Sequence, residues 1–239
     1  MPRFSRKAVP TVTRMSTDST LYRLMTWLSP AFPVGAYSFS HGLEYAVEAG
    51  LVCDADTTRD WINDLLMLGD AQADLVFLAA AWQAGADLPA LQEAHELALA
   101  FQPSAEILLE TTAQGGAFIK AVAAAWPCES IAVLQAALRG PVAYPVAVGV
   151  AARGHGIALE AAAEAFAHAC AANLVSAAVR LVPLGQTEGQ KITANLLATV
   201  TAATARAIAT PLQMVTSSCI MADIVSMRHE SQYSRLFRS

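Results

Sequence analysis

Histidine and cysteine are the side chains of this sequence best suited to hold a transition metal, and they are scattered along the chain. The five histidines and four cysteines include neither an HExxH sequence nor a CxxC pair, the spacings that bring two ligands to one ion. His168 and Cys170 are two residues apart, so on a helix they face different directions. The sequence therefore predicts no metal site within one chain, although single ligands from two subunits could still form a shared site.

The stretch GQTEGQK, residues 185–191, has the glycines of a phosphate-binding loop without their spacing. Such a loop needs four residues between its glycines, followed by Gly-Lys-Ser/Thr, whereas here three residues intervene and Gln190 replaces the lysine. Ser38 lacks the G-x-S-x-G surroundings of a hydrolase nucleophile. We therefore expect no catalytic residue and no cofactor, and a protein that acts by binding is favoured over an enzyme.

A loop within residues 28–50 has a strongly specified conformation. Pro33 and Gly35 predict a turn, because proline fixes φ and glycine permits positive φ. Tyr37 and Ser38 follow directly and are side chains suited to contact with another protein. A purely structural turn is the alternative interpretation.

A second candidate contact region lies near residue 180. Arg180 stands at the end of an apolar helical pattern, where a cation also complements the helix dipole. Pro183 and Gly185 predict that this helix ends in a turn.

The last twelve residues combine arginine with aromatic and aliphatic side chains, the types enriched at interface hot spots. A frayed terminus is the usual alternative. The tail, residues 228–239, finds no obvious partner within the chain, so we expect it to be mobile alone and ordered in a complex. Its candidate binding residues are Arg228, His229, Tyr233, Arg235, Leu236 and Phe237.

The composition is apolar for a soluble domain, with 55% hydrophobic and 15% charged residues. A membrane span needs about 18 consecutive apolar residues. The best candidate, residues 161–179, is interrupted by Glu164, His168 and Asn173. We therefore expect no membrane association and assign the surplus apolar surface to protein interfaces.

The charge distribution indicates which kinds of partner the protein could bind, and the cysteines indicate its cell compartment. The net charge is −5, with basic ends flanking an acidic body, which argues against a nucleic-acid partner. Four widely spaced cysteines are typical of a reducing cytoplasm. Asp54, Asp56, Asp60, Asp64, Asp70 and Asp74 predict an acidic surface, either a solvated face or a docking face for a basic partner.

Apolar periodicity and helix-end signals predict an all-α protein, with one helical bundle of roughly eight to ten helices around a long central helix. Trp61 to Trp82 form one apolar stripe, and Thr187 with Gln190 suggests a capping box. The predicted helices cover about residues 89–101, 104–126, 129–138, 145–153, 159–181, 187–209 and 218–230. We divide the chain into a disordered basic extension (1–20), a helical domain (21–227) and the tail (228–239).

Three motifs together resemble the urease accessory protein F (UreF) family: PVGAYSFSHGLE, VRLVPLGQTEGQ and MRHESQYSRLFRS, in family order and near the family spacing. The similarity covers about residues 21–239 and is weakest between 85 and 157. It implies an all-helical cytoplasmic homodimer that joins accessory protein D, also called H (the D/H protein), to the GTPase UreG and apo-urease. That assembly loads nickel into urease.

The resemblance also implies residue roles. Tyr37 matches the family tyrosine implicated in recruiting the GTPase, and Arg180 matches a basic position linked to the same interface. Arg235 matches the arginine of the terminal YSRL motif, in a tail expected to become ordered when the D/H protein binds. The alternative function is a GTPase-activating regulator that inserts Arg180 or Arg235 as an arginine finger.

Overall fold

The computed structural model describes residues 19–239, which fold into α-helices with no strand among them. The predicted all-α class is confirmed. The helices are α1 (Ser19–Trp27), α2 (Leu43–Glu48), α3 (Ala55–Leu68), α4 (Asp70–Ala84), α5 (Leu88–Ala100), α6 (Ala105–Ala125), α7 (Glu129–Ala137), α8 (Tyr144–Gly154), α9 (Leu159–Leu181), α10 (Gln186–Asn195), α11 (Leu197–Ala209) and α12 (Ile220–His229). The expected disorder of residues 1–20 concerns positions outside the described residues, except that Ser19 and Thr20 begin α1.

Side-chain caps explain where three of the helices begin. The carboxylates of Asp54 and Asp87 and the hydroxyl of Ser104 accept hydrogen bonds from the backbone N–H three residues later. Each bond satisfies a donor that has no partner within its own helix, so the three side chains fix the starts of α3, α5 and α6.

Helix α4 is largely enclosed and packs against α3, α5, α8, α9 and α11. Its Leu75, Phe77 and Leu78 are completely buried. The predicted central helix, α9, has the predicted bounds of residues 159–181, but Glu164 and His168 on one of its sides are exposed. α9 packs against α1, α2, α3, α4, α8, α10 and α11, so the two helices α4 and α9 together organise the bundle.

Two predicted helices are divided in the structure. The stripe from Trp61 to Trp82 belongs to α3 and α4, which separate at Gly69. The predicted helix 187–209 is interrupted at Leu196. The predicted capping box at Thr187 is wrong, because α10 begins at Gln186 and places Thr187 inside its first turn.

The predicted acidic surface is smaller than its sequence suggested. Asp56, Asp60 and Asp64 on α3 are exposed, and Arg59 pairs with the first two at 2.8 and 2.9 Å. Asp70 and Asp74 instead belong to a cluster of polar side chains inside the bundle. They are removed from the surface because α4 is enclosed by other helices.

By length and composition alone, Ala55–Ala84 and Leu159–Leu181 could each cross a membrane, and α10 with α11 could form a third, bent span. In the fold, 67% of the most apolar window of the first segment and 50% of that of the second are buried within the protein. Packing within the bundle therefore buries most of the first window and half of the second.

The adjacent glycines of α6 differ in their surroundings. A Cβ atom added at Gly115 would overlap the carbonyl oxygen of Val142, which precedes α8, whereas one added at Gly116 would meet nothing within 4 Å. Thr111 on the same helix accepts a hydrogen bond from the Tyr144 N–H at 3.1 Å. Gly115 is therefore needed for the close approach of α6 to the start of α8, and Gly116 is not.

We expect Gly115→Ala to lower the free energy of unfolding by about 2 kcal/mol or more, because backbone must move to accommodate the new methyl group. Gly116→Ala is the matched control and should raise it by about 0.5–1 kcal/mol, the usual gain of replacing an exposed helical glycine. Urea unfolding of both variants measures the difference. Equal effects would show that α6 and α8 are not in close contact at Gly115.

Candidate partner-binding site

The loop around Tyr37 is a short 3-10 turn, Ala36–Ser38, that begins after Gly35. Gly35 has φ +75°, the left-handed conformation that favours glycine, and its carbonyl accepts bonds from the Ser38 N–H and hydroxyl at 3.1 and 2.8 Å. Tyr37 is 66% exposed at the tip of this turn. The predicted turn at Pro33 and Gly35 therefore presents Tyr37 to solvent on a defined backbone.

Buried side chains on both sides of the turn attach the loop to the bundle. Phe32 packs against Phe118 and Trp126, with ring centroids 5.6 and 6.1 Å apart. On the other side Phe39 is buried, and its carbonyl accepts a hydrogen bond from Asn173 of α9 at 3.3 Å. The loop is thus fixed to α6 on one side and to α9 on the other.

Arg180, in the last turn of α9, contacts both the loop and the tail. Its Nη2 donates to the carbonyl oxygen of Tyr37 at 3.1 Å, and its Cζ lies 4.2 Å from the centre of the Phe237 ring. A guanidinium above an aromatic face is a favourable cation–π arrangement. After Arg180 the helix ends, and Pro183 and Gly185 lie in the turn that leads to α10, as predicted.

The tail is docked on its own chain, so the expectation that it lacks an internal partner is wrong. Phe237 is only 4% exposed and belongs to a small core formed with Leu43, Val182 and Val225 among others. The Arg238 N–H donates to the Ser38 carbonyl at 2.8 Å. The backbone of the tail therefore runs beside the backbone of the loop.

Glu44, in the first turn of α2, is the main acceptor for the tail. It is 8% exposed, and its two oxygens accept the N–H groups of Leu236 and Phe237 at 2.7 and 2.9 Å. The ring Nε2 of His229 lies 3.3 Å from the same carboxylate. The sequence gives no sign of this role, although Glu44 belongs to the motif that contains Tyr37.

Glu106, in the first turn of α6, connects the end of α12 to the tail. One oxygen lies 2.5 Å from Nδ1 of the fully buried His229, and the other lies 2.5 Å from the Arg235 guanidinium. His229 therefore bridges two carboxylates from different helices. This role of Glu106 was also not predicted.

Three predicted contact residues of the tail point away from the chain. Tyr233 is fully exposed, Leu236 is 65% exposed, and Arg228 lies exposed on the last turn of α12. The buried tail residues His229 and Phe237 thus attach the segment, while Tyr233 and Leu236 form an outward surface. Together the structure brings Tyr37, Ser38, Arg180, Arg235 and Phe237 into one continuous region of loop, helix end and tail.

A cluster of ionisable groups lies beneath the loop. His41 Nε2 is 2.6 Å from Asp70 Oδ2 of α4, and its Nδ1 is 3.3 Å from Glu110 Oε2 of α6. Burial lowers the pKa of His41, but the two carboxylates outweigh burial and hold it well above the ordinary value. Burial raises the pKa of Asp70. The charge of His41 and the hydrogen bonds that Asp70 accepts together outweigh burial and hold the pKa of Asp70 below its ordinary value.

Asp74 has no such partner for one of its oxygens. Oδ1 is inaccessible to solvent and has no hydrogen-bond partner among the described residues. Burial, helped by the nearby Asp70 charge, raises the pKa of Asp74 to about 8. A carboxyl group with this pKa is mostly protonated at neutral pH.

A cavity of about 200 Å³ adjoins this cluster and is lined by residues that include Asp74, Gln102, Tyr144, Cys170 and Asn173. Burial raises the pKa of the Cys170 thiol well above its usual range, which argues against a reactive thiolate at this position. Within residues 19–239 no three His, Cys, Asp or Glu side chains are arranged to hold a metal ion.

Comparison with known proteins identifies relatives over nearly the whole chain. The UreF family model matches residues 52–197, which include the region where the sequence motifs are weakest. A urease accessory protein UreF from Rhodopseudomonas palustris strain BisB5 is 54% identical over 224 residues, 93% of this chain and 92% of its own length. Proteins of the same name from Bradyrhizobium diazoefficiens and Methylorubrum populi are 49% and 46% identical, covering 92% and 91% of this chain and 92% and 98% of their own lengths.

The predicted resemblance is therefore confirmed. The family consists of accessory proteins of urease maturation and not of catalytic enzymes, which agrees with the absence of a phosphate loop or nucleophile motif from the sequence. The chain belongs to the UreF family of urease accessory proteins.

Proposed function

We propose that this protein is an adaptor in urease maturation, which binds the D/H protein and the GTPase UreG and couples GTP use to insertion of nickel into apo-urease. The observation that supports this most directly is the position of Arg180, which contacts the Tyr37 backbone and the Phe237 ring at once. One side chain thereby connects the loop and the tail.

The GTPase would bind the loop side of this region. Tyr37 offers a large exposed aromatic side chain on a backbone that is already ordered, so binding it costs little conformational entropy. Tyrosine and arginine are the residue types that most often dominate interface energies. Arg180 would then both support the loop and border the interface.

The D/H protein would bind the outward side of the tail. Tyr233 and Leu236 expose apolar surface that nothing in the described part of the chain covers. Arg235 is held in place by Glu106, so its neighbours are presented on an ordered segment. Binding to a docked tail would not require the coupled folding that the sequence led us to expect.

A second copy of the chain would cover the outer face of α12. Ile220, Met221, Ile224 and Met227 are exposed there at helical spacing and form one apolar stripe. Such a stripe needs a partner, and a homodimer is the assembly that the family resemblance implies.

The four cysteines are free, which supports a reducing compartment such as the cytoplasm.

The alternative of an arginine finger has less support. A finger must extend into the nucleotide site of another protein, whereas the guanidinium of Arg180 lies against Phe237 and that of Arg235 is paired with Glu106. Using either one would break contacts that hold the tail in place.

We expect Tyr37→Ala to weaken capture of the GTPase by about thirtyfold, corresponding to about 2 kcal/mol, without a change in melting temperature. Arg180→Ala should weaken capture similarly and also loosen the tail, because it removes the cation above Phe237. Leu197→Ala is the matched control, since Leu197 on α11 is equally exposed at 66%. Calorimetric titration with purified UreG would contradict the proposal if Tyr37→Ala bound like wild type.

The tail surface is tested by replacing only its exposed side chains. Deleting residues 228–239 would also remove the buried His229 and Phe237, so loss of binding could follow from loss of structure. The double variant Tyr233→Ala, Leu236→Ala should keep the melting temperature and lose co-purification with the D/H protein. Normal co-purification of this variant would exclude the outward tail surface as the D/H site.

A further inference from the structure

The turn at Ser40–Gly42 has an unusual backbone conformation. His41 has φ +60°, the one positive φ of a residue other than glycine within residues 19–239, and Gly42 follows with φ +76°. A left-handed conformation is unfavourable for a residue with a side chain such as histidine. The turn therefore needs contacts elsewhere to remain in place.

The side chain of His41 supplies those contacts. Its ring lies between Asp70 of α4 and Glu110 of α6, with both nitrogens within 3.3 Å of a carboxylate oxygen. A neutral imidazole has one N–H, so it can donate to only one of the two. Both hydrogen bonds exist together only when the ring is protonated.

The same turn holds the end of the tail. The Ser40 N–H donates to the main-chain oxygen of Ser239 at 2.8 Å, and the Ser40 hydroxyl donates to the same atom. The Ser239 hydroxyl donates to Glu110 Oε2 at 2.7 Å, the oxygen that His41 also contacts. Glu110 is therefore shared between the imidazole and the tail.

The other charged groups around His41 are mostly acidic. Asp74 of α4 and Asp223 of α12 interact electrostatically with it, in addition to Asp70 and Glu110. From the tail side, Arg238 lies over the neighbouring Phe39 ring at 5.2 Å. In the described part of the chain, His41 is the one cation that counteracts the raised pKa values of Asp74 and Asp223.

We propose that His41 is a proton-dependent latch: its imidazolium holds the turn at Ser40–Gly42 against α4 and α6, and loss of the proton releases the turn together with the end of the tail. The neutral ring must give up either Asp70 or Glu110, and the released carboxylate then faces other acids without a cation. The strained backbone loses its anchor, and with it the N–H groups that bind Ser239.

The direction of the pH effect follows from the pKa of His41, which is raised above its ordinary value of 6.5 when the turn is in place. The stabilisation of the turn by protonated His41 is complete below about pH 6.5, and it is lost as the pH rises through the raised pKa of His41. The lowered pKa of Asp70 keeps that group charged over the whole of this range. Ionisation of Asp74, with its pKa of about 8, would add a further negative charge in the same range.

Amide hydrogen exchange of the full chain tests the latch without any partner. We expect the protection factors of residues 38–43 and 235–239, corrected for the intrinsic rate at each pH, to fall at least about tenfold between pH 6 and pH 9, since one unit of pKa difference is a tenfold change in equilibrium. Residues 144–154 of the enclosed α8 serve as the internal reference and should not change.

Two variants distinguish the contribution of the His41 imidazole to the pH dependence from that of the neighbouring acids. His41→Asn tolerates positive φ but carries no charge, so its turn should be weakly protected at both pH values and show no fall. Asp74→Asn removes the other group that titrates in this range and should retain the fall. A pH-independent wild type, or a fall that persists in His41→Asn, would overturn the proposal.

Discussion

The binding region depends on one buried carboxylate, that of Glu44. A carboxylate taken out of water is costly unless donors surround it, and breaking such an arrangement leaves an uncompensated charge. The contacts described for this carboxylate come from the end of the chain: the N–H groups of Leu236 and Phe237 donate to it, and the ring Nε2 of His229 lies 3.3 Å away. The docked tail is therefore required by the electrostatics of α2, and removing it would expose an acidic groove formed by Glu44 and Glu106.

Docking of the tail in turn completes the surface around Tyr37. Phe237, once fixed by Glu44, provides the ring on which Arg180 rests, and Arg180 then donates to the Tyr37 carbonyl. Each of these steps joins residues from a different part of the sequence. A partner that alters the tail would consequently alter the support of the loop, which is the property an adaptor needs to make one binding event depend on another.

The sequence predicts those parts of the fold that local chemistry determines. The bounds of α9 follow from its apolar pattern and the Pro183 turn, and Ser104 marks the start of α6 because its hydroxyl is the cap. The break at Gly69 and the enclosure of α4 depend on neighbouring helices, so Asp70 and Asp74 were assigned to the surface. Similarly, Tyr37, Arg180 and the tail residues could be named from their motifs, but Glu44 and Glu106 could not, because Glu44 meets Phe237 across 193 positions.

The central claim is that the tail and the loop act as one surface. Glu44→Gln tests it most directly, because Glu44 is buried and its substitution leaves the exposed side chain of Tyr37 unchanged. Glutamine keeps the size of glutamate but loses the charge and one acceptor. The affinity of this variant for the GTPase is the quantity to measure, beside hydrogen exchange of residues 235–239. The account predicts that the tail loses protection and that binding weakens about tenfold or more, because Arg180 loses its ring. The account would be contradicted if Glu44→Gln bound the GTPase with wild-type affinity while hydrogen exchange showed that residues 235–239 had lost protection.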